Sequence, residues 1–157
     1  MLKNFFSTTV FLILSIFVFG AAQAQTDYTW EGYGLAFTVP DGFTETTSTD
    51  EKFEGKSDAA KVHLFGIYPI SDANITQDNL KEALIEMAAA SGMEVQDADH
   101  IEFNGFSGLY AEGEIEGVPT FFACMLDPNG ELNFIVTILH NNAEAAIAIM
   151  KSITKAE

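Results

Sequence analysis

The sequence predicts an α+β domain: an antiparallel β-sheet meander covered by helices on both faces, an α/β/α sandwich. Three observations predict it. First, Asn104-Gly105, Glu116-Gly117 and Asn129-Gly130 cut Asp99–His140 into four strand-length pieces, and an Asn-Gly pair supplies the positive φ angles of a tight hairpin turn. Second, the last two pieces are apolar on both faces. Phe121, Ala123 and Met125 oppose Phe122, Cys124 and Leu126, and Phe134, Val136 and Ile138 oppose Ile135 and Leu139. A sheet with one wet face alternates apolar and polar residues, so both faces of this one require a cover. Third, two amphipathic helical patterns flank the meander and are the natural covers.

From the N-terminus, Lys3 is the only charge before an apolar run from Phe5 to Phe19, and Ala22-Gln23-Ala24 has the small-residue pattern of a signal-peptidase cut. The run is shorter than the ~20 residues of a spanning helix. Residues 1–24 therefore read as a cleaved signal peptide, and 25–157 as a single exported domain, periplasmic or extracellular, with no integral membrane segment. Tyr28, Trp30, Leu35, Phe37 and Val39 alternate with polar or small residues as two short strands around Gly32 and Gly34, and Pro40-Asp41-Gly42 ends the second. The 44–58 stretch is rich in Ser, Thr and acids; it reads as a weakly marked strand near Phe43 or Phe53, or as a loop. Lys61–Tyr68 is a strand with Val62, Leu64, Gly66 and Tyr68 on one face and His63, Phe65 and Ile67 on the other. Thr76 is placed to cap a helix with a stripe of Leu80, Leu84, Met87, Ala88 and Ser91, closed by Gly92. Asn141 or Asn142 caps a last helix that buries Ala146, Ile149, Met150 and Ile153.

Composition excludes several functions. Past the leader, six lysines and no arginine face 23 acids, a net charge of −17. Nucleic acid and anionic membrane surfaces are held by Lys and Arg, so neither is an expected partner. Cys124 is the only cysteine and sits in the most apolar strand, so it reads as a buried hydrophobe rather than a reactive thiol. No phosphate loop, dinucleotide fingerprint or Gly-x-Ser-x-Gly elbow occurs.

Tyr33-Gly34-Leu35-Ala36-Phe37-Thr38-Val39-Pro40-Asp41-Gly42-Phe43 resembles the "strand, Pro, Gly, aromatic" opening of the PsbP/Mog1-like families, which include exported bacterial proteins. Element order is similar over nearly all of 25–157. The resemblance implies an accessory or binding role beside larger assemblies and carries over no functional residue.

Candidate site residues are few. Glu112, Glu114 and Glu116 at alternate positions share one strand face. They form a possible interaction face for a protein partner in the cell envelope or for a divalent cation, or else a solvated charged face that discourages edge pairing. Asp97, Asp99 and His100 cluster before a strand without the spacing of a zinc site. His100 with Ser107 or Ser91 is the only hydrolase combination to consider, and Asn74-Ile75-Thr76 matches a glycosylation acceptor. The expected function is a non-enzymatic binding or accessory module without catalytic, cofactor or metal residues. A carrier of a small molecule or divalent metal, using a pocket between sheet and helix, is the alternative, and a hydrolase comes last.

Overall fold

A computed structural model describes residues 24–157 apart from Ala73; residues 1–23 of the expected signal peptide lie outside them. Ten strands and two helices follow in the order β1 (Gln25–Trp30), β2 (Leu35–Pro40), β3 (Thr44–Ser48), β4 (Phe53–Ser57), β5 (Val62–Pro69), α1 (Leu80–Ala90), β6 (Asp99–Phe103), β7 (Phe106–Ile115), β8 (Val118–Leu126), β9 (Phe134–His140), α2 (Ala143–Ser152) and β10 (Thr154–Lys155). Seven strands form one sheet in the order β3-β4-β5-β9-β8-β7-β6, and β1-β2-β10 form a second. Every pairing is antiparallel.

This corrects the expected α/β/α sandwich. Strand accounts for 47% of the structure and helix for 16%, in two sheets rather than one. The face expected to lie under a helix is instead roofed chiefly by the second sheet. Leu35, Phe37 and Val39 of β2 pack with Phe53, Phe65, Phe121, Val136 and Ile138 of the large sheet. Phe37 stands edge-on to Phe53 and Phe65, with ring centroids 4.9 and 5.1 Å away, a geometry that the ring quadrupoles favour. Helix α2 packs on β2 and β9 at the margin of this layer. On the opposite face α1 lies over β7 and β8, where Leu80, Leu84 and Ala88 meet Ala111, Phe122 and Cys124. No helix among the described residues is long and apolar enough to cross a membrane.

The turns follow from the sequence, with one exception. Asn104 and Gly105 have φ of 47° and 85°, and Glu116 and Gly117 have 51° and 78°, the paired positive angles that join twisted antiparallel strands. At Asn129-Gly130 only Gly130 is left-handed, at 73°; Asp127 accepts from the Asn129 N–H at 3.0 Å and opens a longer loop. The weakly marked 44–58 region is a complete hairpin, β3–β4, with a bulge between Glu45 and Thr47. Another bulge between Val62 and Leu64 shifts the register of β5. Val62 therefore shares the inner face with Phe65 and Ile67, against the alternation expected there, because an extra residue reverses the side-chain phase. Helix α1 starts at Leu80, not after Thr76, and its N-cap Asn79 makes no side-chain capping bond. Its far end behaves as expected: Gly92 takes φ 85°, and the Gly92 and Met93 N–H groups donate to Ala89 and Ala88 carbonyls at 3.0 and 2.9 Å, a Schellman closure. In α2, Asn142 Oδ1 accepts from the Ala145 N–H at 3.2 Å.

The two sheets are tied at one end by a polar relay. Lys155 Nζ of β10 lies 2.9 Å from both carboxylate oxygens of Asp127, but only Oδ1 is met with hydrogen-bond geometry, leaving Oδ2 without a partner. The Asp127 N–H donates to Asn133 Oδ1 at 2.9 Å, and the Asn133 carbonyl accepts from the Tyr33 hydroxyl at 2.7 Å. Burial alone would raise the Asp127 pKa, but Lys155 and the backbone N–H groups of Asn129 and Glu131 hold it below its ordinary value. Asp127→Ala strands the loop N–H and removes the tie, so we expect a loss of about 1–3 kcal/mol. Urea unfolding with unchanged m-value checks this.

Candidate binding groove

The outer face of the large sheet is wider than its cover. A helix with its side chains is about 10–12 Å across, and strands lie about 4.8 Å apart, so one helix covers about two strands. Helix α1 takes β7 and β8. Beyond it, β9 and β5 present Leu64, Tyr68, Ile135 and Leu139, all half-buried. The result is a groove along one flank of α1. One compartment, of about 410 Å³, has Phe122, Ile135 and Leu139 in its floor and Met87 and Ala90 of α1 in its wall. A second, of about 510 Å³, continues past Met87 and Ile135 to Ile70, Ala83, Glu82 and Glu86. Both volumes fall in the range of small-molecule sites.

Tyr68 forms the far wall of the apolar compartment. Its hydroxyl donates to Glu54 Oε1 on β4 at 2.9 Å, and Glu54 also receives Lys52 Nζ at 3.0 Å. Burial, then the hydrogen bond and charge of Glu54, raise the Tyr68 pKa above its ordinary value. The ring can lie against β5 only because residue 66 is glycine: a Cβ there would collide with the Tyr68 hydroxyl and ring. The floor also holds Thr137, buried among apolar neighbours.

The residues singled out by the sequence lie elsewhere. Glu112 and Glu114 are exposed on β7, and Glu112 pairs across the ladder with Phe121 of the inner core. They face away from α1. Glu116 has left the strand for the hairpin turn, at φ 51°, so the three glutamates do not form one row. Asp97 pairs with Lys81 of α1; that bond and the Ala98 N–H lower its pKa. Asp99 and His100 are inside β6. His100 Nε2 sits 3.3 Å from Ser107 Oγ, and Glu102 Oε1 approaches the same nitrogen at 3.7 Å. In a hydrolytic triad the carboxylate holds the other ring nitrogen; here it competes with the serine for one. Ser91 is spent on the Met87 carbonyl at 3.0 Å. Cys124 lies beneath α1, fully buried, where burial pushes its thiol up to about 12. Among the described residues no three His, Cys, Asp or Glu side chains converge for a metal ion.

His140 is the other buried titratable group near the glutamates. Its ring stacks on Phe121 with centroids 4.6 Å apart, and Nδ1 has no partner among the described residues. Burial lowers its pKa below 6.5, opposed by the charge of Glu112 and reinforced by His63.

The sequence pattern predicts a pocket between sheet and helix but does not place this groove. The signal was present: Ile135, Leu139, Leu64 and Tyr68 share one face, more apolar width than one eleven-residue helix can roof.

No family model matches the chain, and no curated protein does. Among solved structures it is similar to a protein of Bacteroides thetaiotaomicron VPI-5482, solved at 1.50 Å, with a TM-score of 0.53 and 11% identity. The match covers 86% of this chain and 49% of that one, so this chain spans about half the neighbour's length. At that identity the likeness concerns the fold alone.

Two outcomes follow from the geometry. Gly66→Val should push Tyr68 off β5 and break its bond to Glu54, at a cost of about 1–2 kcal/mol; urea unfolding, with tyrosine fluorescence reporting the displaced ring, checks it. Since the His140 pKa is lowered on folding, the unfolded chain takes up that proton first. Its contribution is therefore lost as pH falls below about 6.5. His140→Phe, which keeps the stack on Phe121, should flatten the fall in melting temperature between pH 7 and 5.5.

Proposed function

We propose that this is a non-enzymatic binding protein of the exported compartment, and that the groove between α1 and the β5–β9 strands is where it binds. The observation that carries this reading is the apolar floor left open beside α1, with Ile135 and Leu139 only partly buried under a concave site. A concave, mostly apolar cleft with a few polar groups is the usual form of a small-molecule site, and a ligand gains by removing that surface from water. The hydroxyls of the residues lining the apolar compartment, Tyr68, Ser91 and Thr137, suit orientation of a ligand better than chemistry on it. Of the two expected roles, this favours a carrier of a small apolar molecule. The N-terminal run Phe5–Phe19 with Ala22-Gln23-Ala24 supports export, and an intact mass beginning at Gln25 is the expected result for protein recovered from the envelope fraction.

A protein-docking role is the second reading. It is supported by the exposed pair Glu112 and Glu114, with Glu116 nearby in the turn, and by the resemblance to PsbP/Mog1-like accessory proteins.

The carrier reading is tested with the neutral dye Nile red. Saturable, one-to-one enhancement of its fluorescence is expected. Ala90→Trp fills the apolar compartment from an exposed helix position, and should weaken binding at least tenfold without moving the urea midpoint. Absence of saturable binding, or binding that Ala90→Trp leaves intact, contradicts the assignment.

A further inference from the structure

The two compartments of the groove differ in chemistry along its length. The inner one is walled by Met87, Phe122, Ile135 and Leu139, and among the described residues no Lys, Arg, Asp or Glu lines it. The outer one opens along the first two turns of α1, between Glu82, Glu86 and Asp72. They join at Met87 and Ile135, which line both. Among the described residues, no basic residue lines either compartment. Glu82 and Glu86 are exposed and one helical turn apart, a like-charge spacing that works against the helix. Among the described residues, neither is in an ion pair. Asp72 is engaged locally, accepting from the Asn74 backbone and side chain at 2.8 Å each.

Resting on the carrier reading, we propose that the ligand is a cationic amphiphile: an alkyl or aromatic body lying over Phe122, Ile135 and Leu139, with an ammonium-type head between Glu82 and Glu86. Polarity and charge complementarity select this occupant. A fatty acid or other anionic amphiphile of the same shape would bring a like charge to the two glutamates with no Lys or Arg to receive it. A neutral chain would fill the inner compartment and leave the glutamate repulsion unrelieved. A cationic amphiphile fills the inner compartment and also relieves the repulsion between the two glutamates. The interaction at the head lies at the surface, so it is sensitive to salt.

The test compares dodecyltrimethylammonium, 1-dodecanol and dodecanoate, each below its self-association concentration, by displacement of Nile red from the mature chain. At low salt the cation should bind at least tenfold tighter than the alcohol, and dodecanoate more weakly than either. Glu82→Gln with Glu86→Gln should bring the cation to the level of the alcohol and leave the alcohol unchanged. Glu112→Gln with Glu114→Gln removes the same amount of charge from the opposite face, and should preserve the preference. Equal affinities for cation and alcohol overturn the proposal while leaving the groove as a neutral carrier site. So does a preference that survives the Glu82/Glu86 pair, or one lost equally in the Glu112/Glu114 pair, since net charge would then be its source. Failure of all three compounds to displace the dye overturns the carrier reading itself.

Discussion

The structure depends on one constraint, the two-sided apolar character of β8 and β9. Phe121, Ala123, Met125, Val136 and Ile138 point to one side and Phe122, Cys124, Leu126 and Ile135 to the other. Each large apolar side chain removed from water contributes about 1.5–3 kcal/mol, so neither face can be left bare. A central position in the seven-stranded order follows, with β7 and β6 on one side and β5, β4 and β3 on the other. The polar strand Thr44–Ser48, Thr and Glu along its length, takes an edge, where its side chains remain in water and discourage pairing with another chain.

The two faces are satisfied by different means. On one, the β1–β2 hairpin doubles over the large sheet, β10 joins it, and aromatic rings interlock between the layers. Sheet on sheet spreads cover over many strands at once. Among the described residues, the other face receives only α1 and the chain around it. A helix roofs a strip, and the strip ends at β8. What remains over β9 and β5 is shaped by Tyr68, which the missing Cβ of Gly66 allows to lie along the sheet, and by the glutamates of α1. The groove is thus a consequence of covering a broad sheet with a narrow element, and its acidic mouth reflects the net charge that keeps such a surface soluble.

Much of this architecture was legible in the residues, because it rests on local rules. The hairpins at Asn104-Gly105 and Glu116-Gly117, the alternation along β8 and β9, the Gly92 exit of α1 and the Asn142 cap of α2 each follow from a short pattern acting on its own neighbourhood. The layer arrangement did not follow. Amphipathicity shows that β2 and α2 bury one face, but not which of them spans the sheet, and the sheet-on-sheet contact of Phe37 with Phe53 and Phe65 joins residues far apart in the chain. The bulges at Glu45–Thr47 and Val62–Leu64 were equally silent, since one inserted residue looks like any other in a polar or mixed segment. At the candidate sites, spacing alone could not place Glu116 in a turn. Nor could it reveal that Glu82 and Glu86, which lie outside the apolar stripe of α1, border an opening.

The most direct test of the account is methyl-resolved NMR of the protein during titration with 1-octanol, a neutral probe that depends only on apolar contact. If the strip beside α1 is the binding site, shifts should move at Met87, Ile135 and Leu139, and remain still at Met125, Val136 and Ile138 on the sheet-covered face. Shifts scattered over the surface, or concentrated on the opposite face, would contradict it.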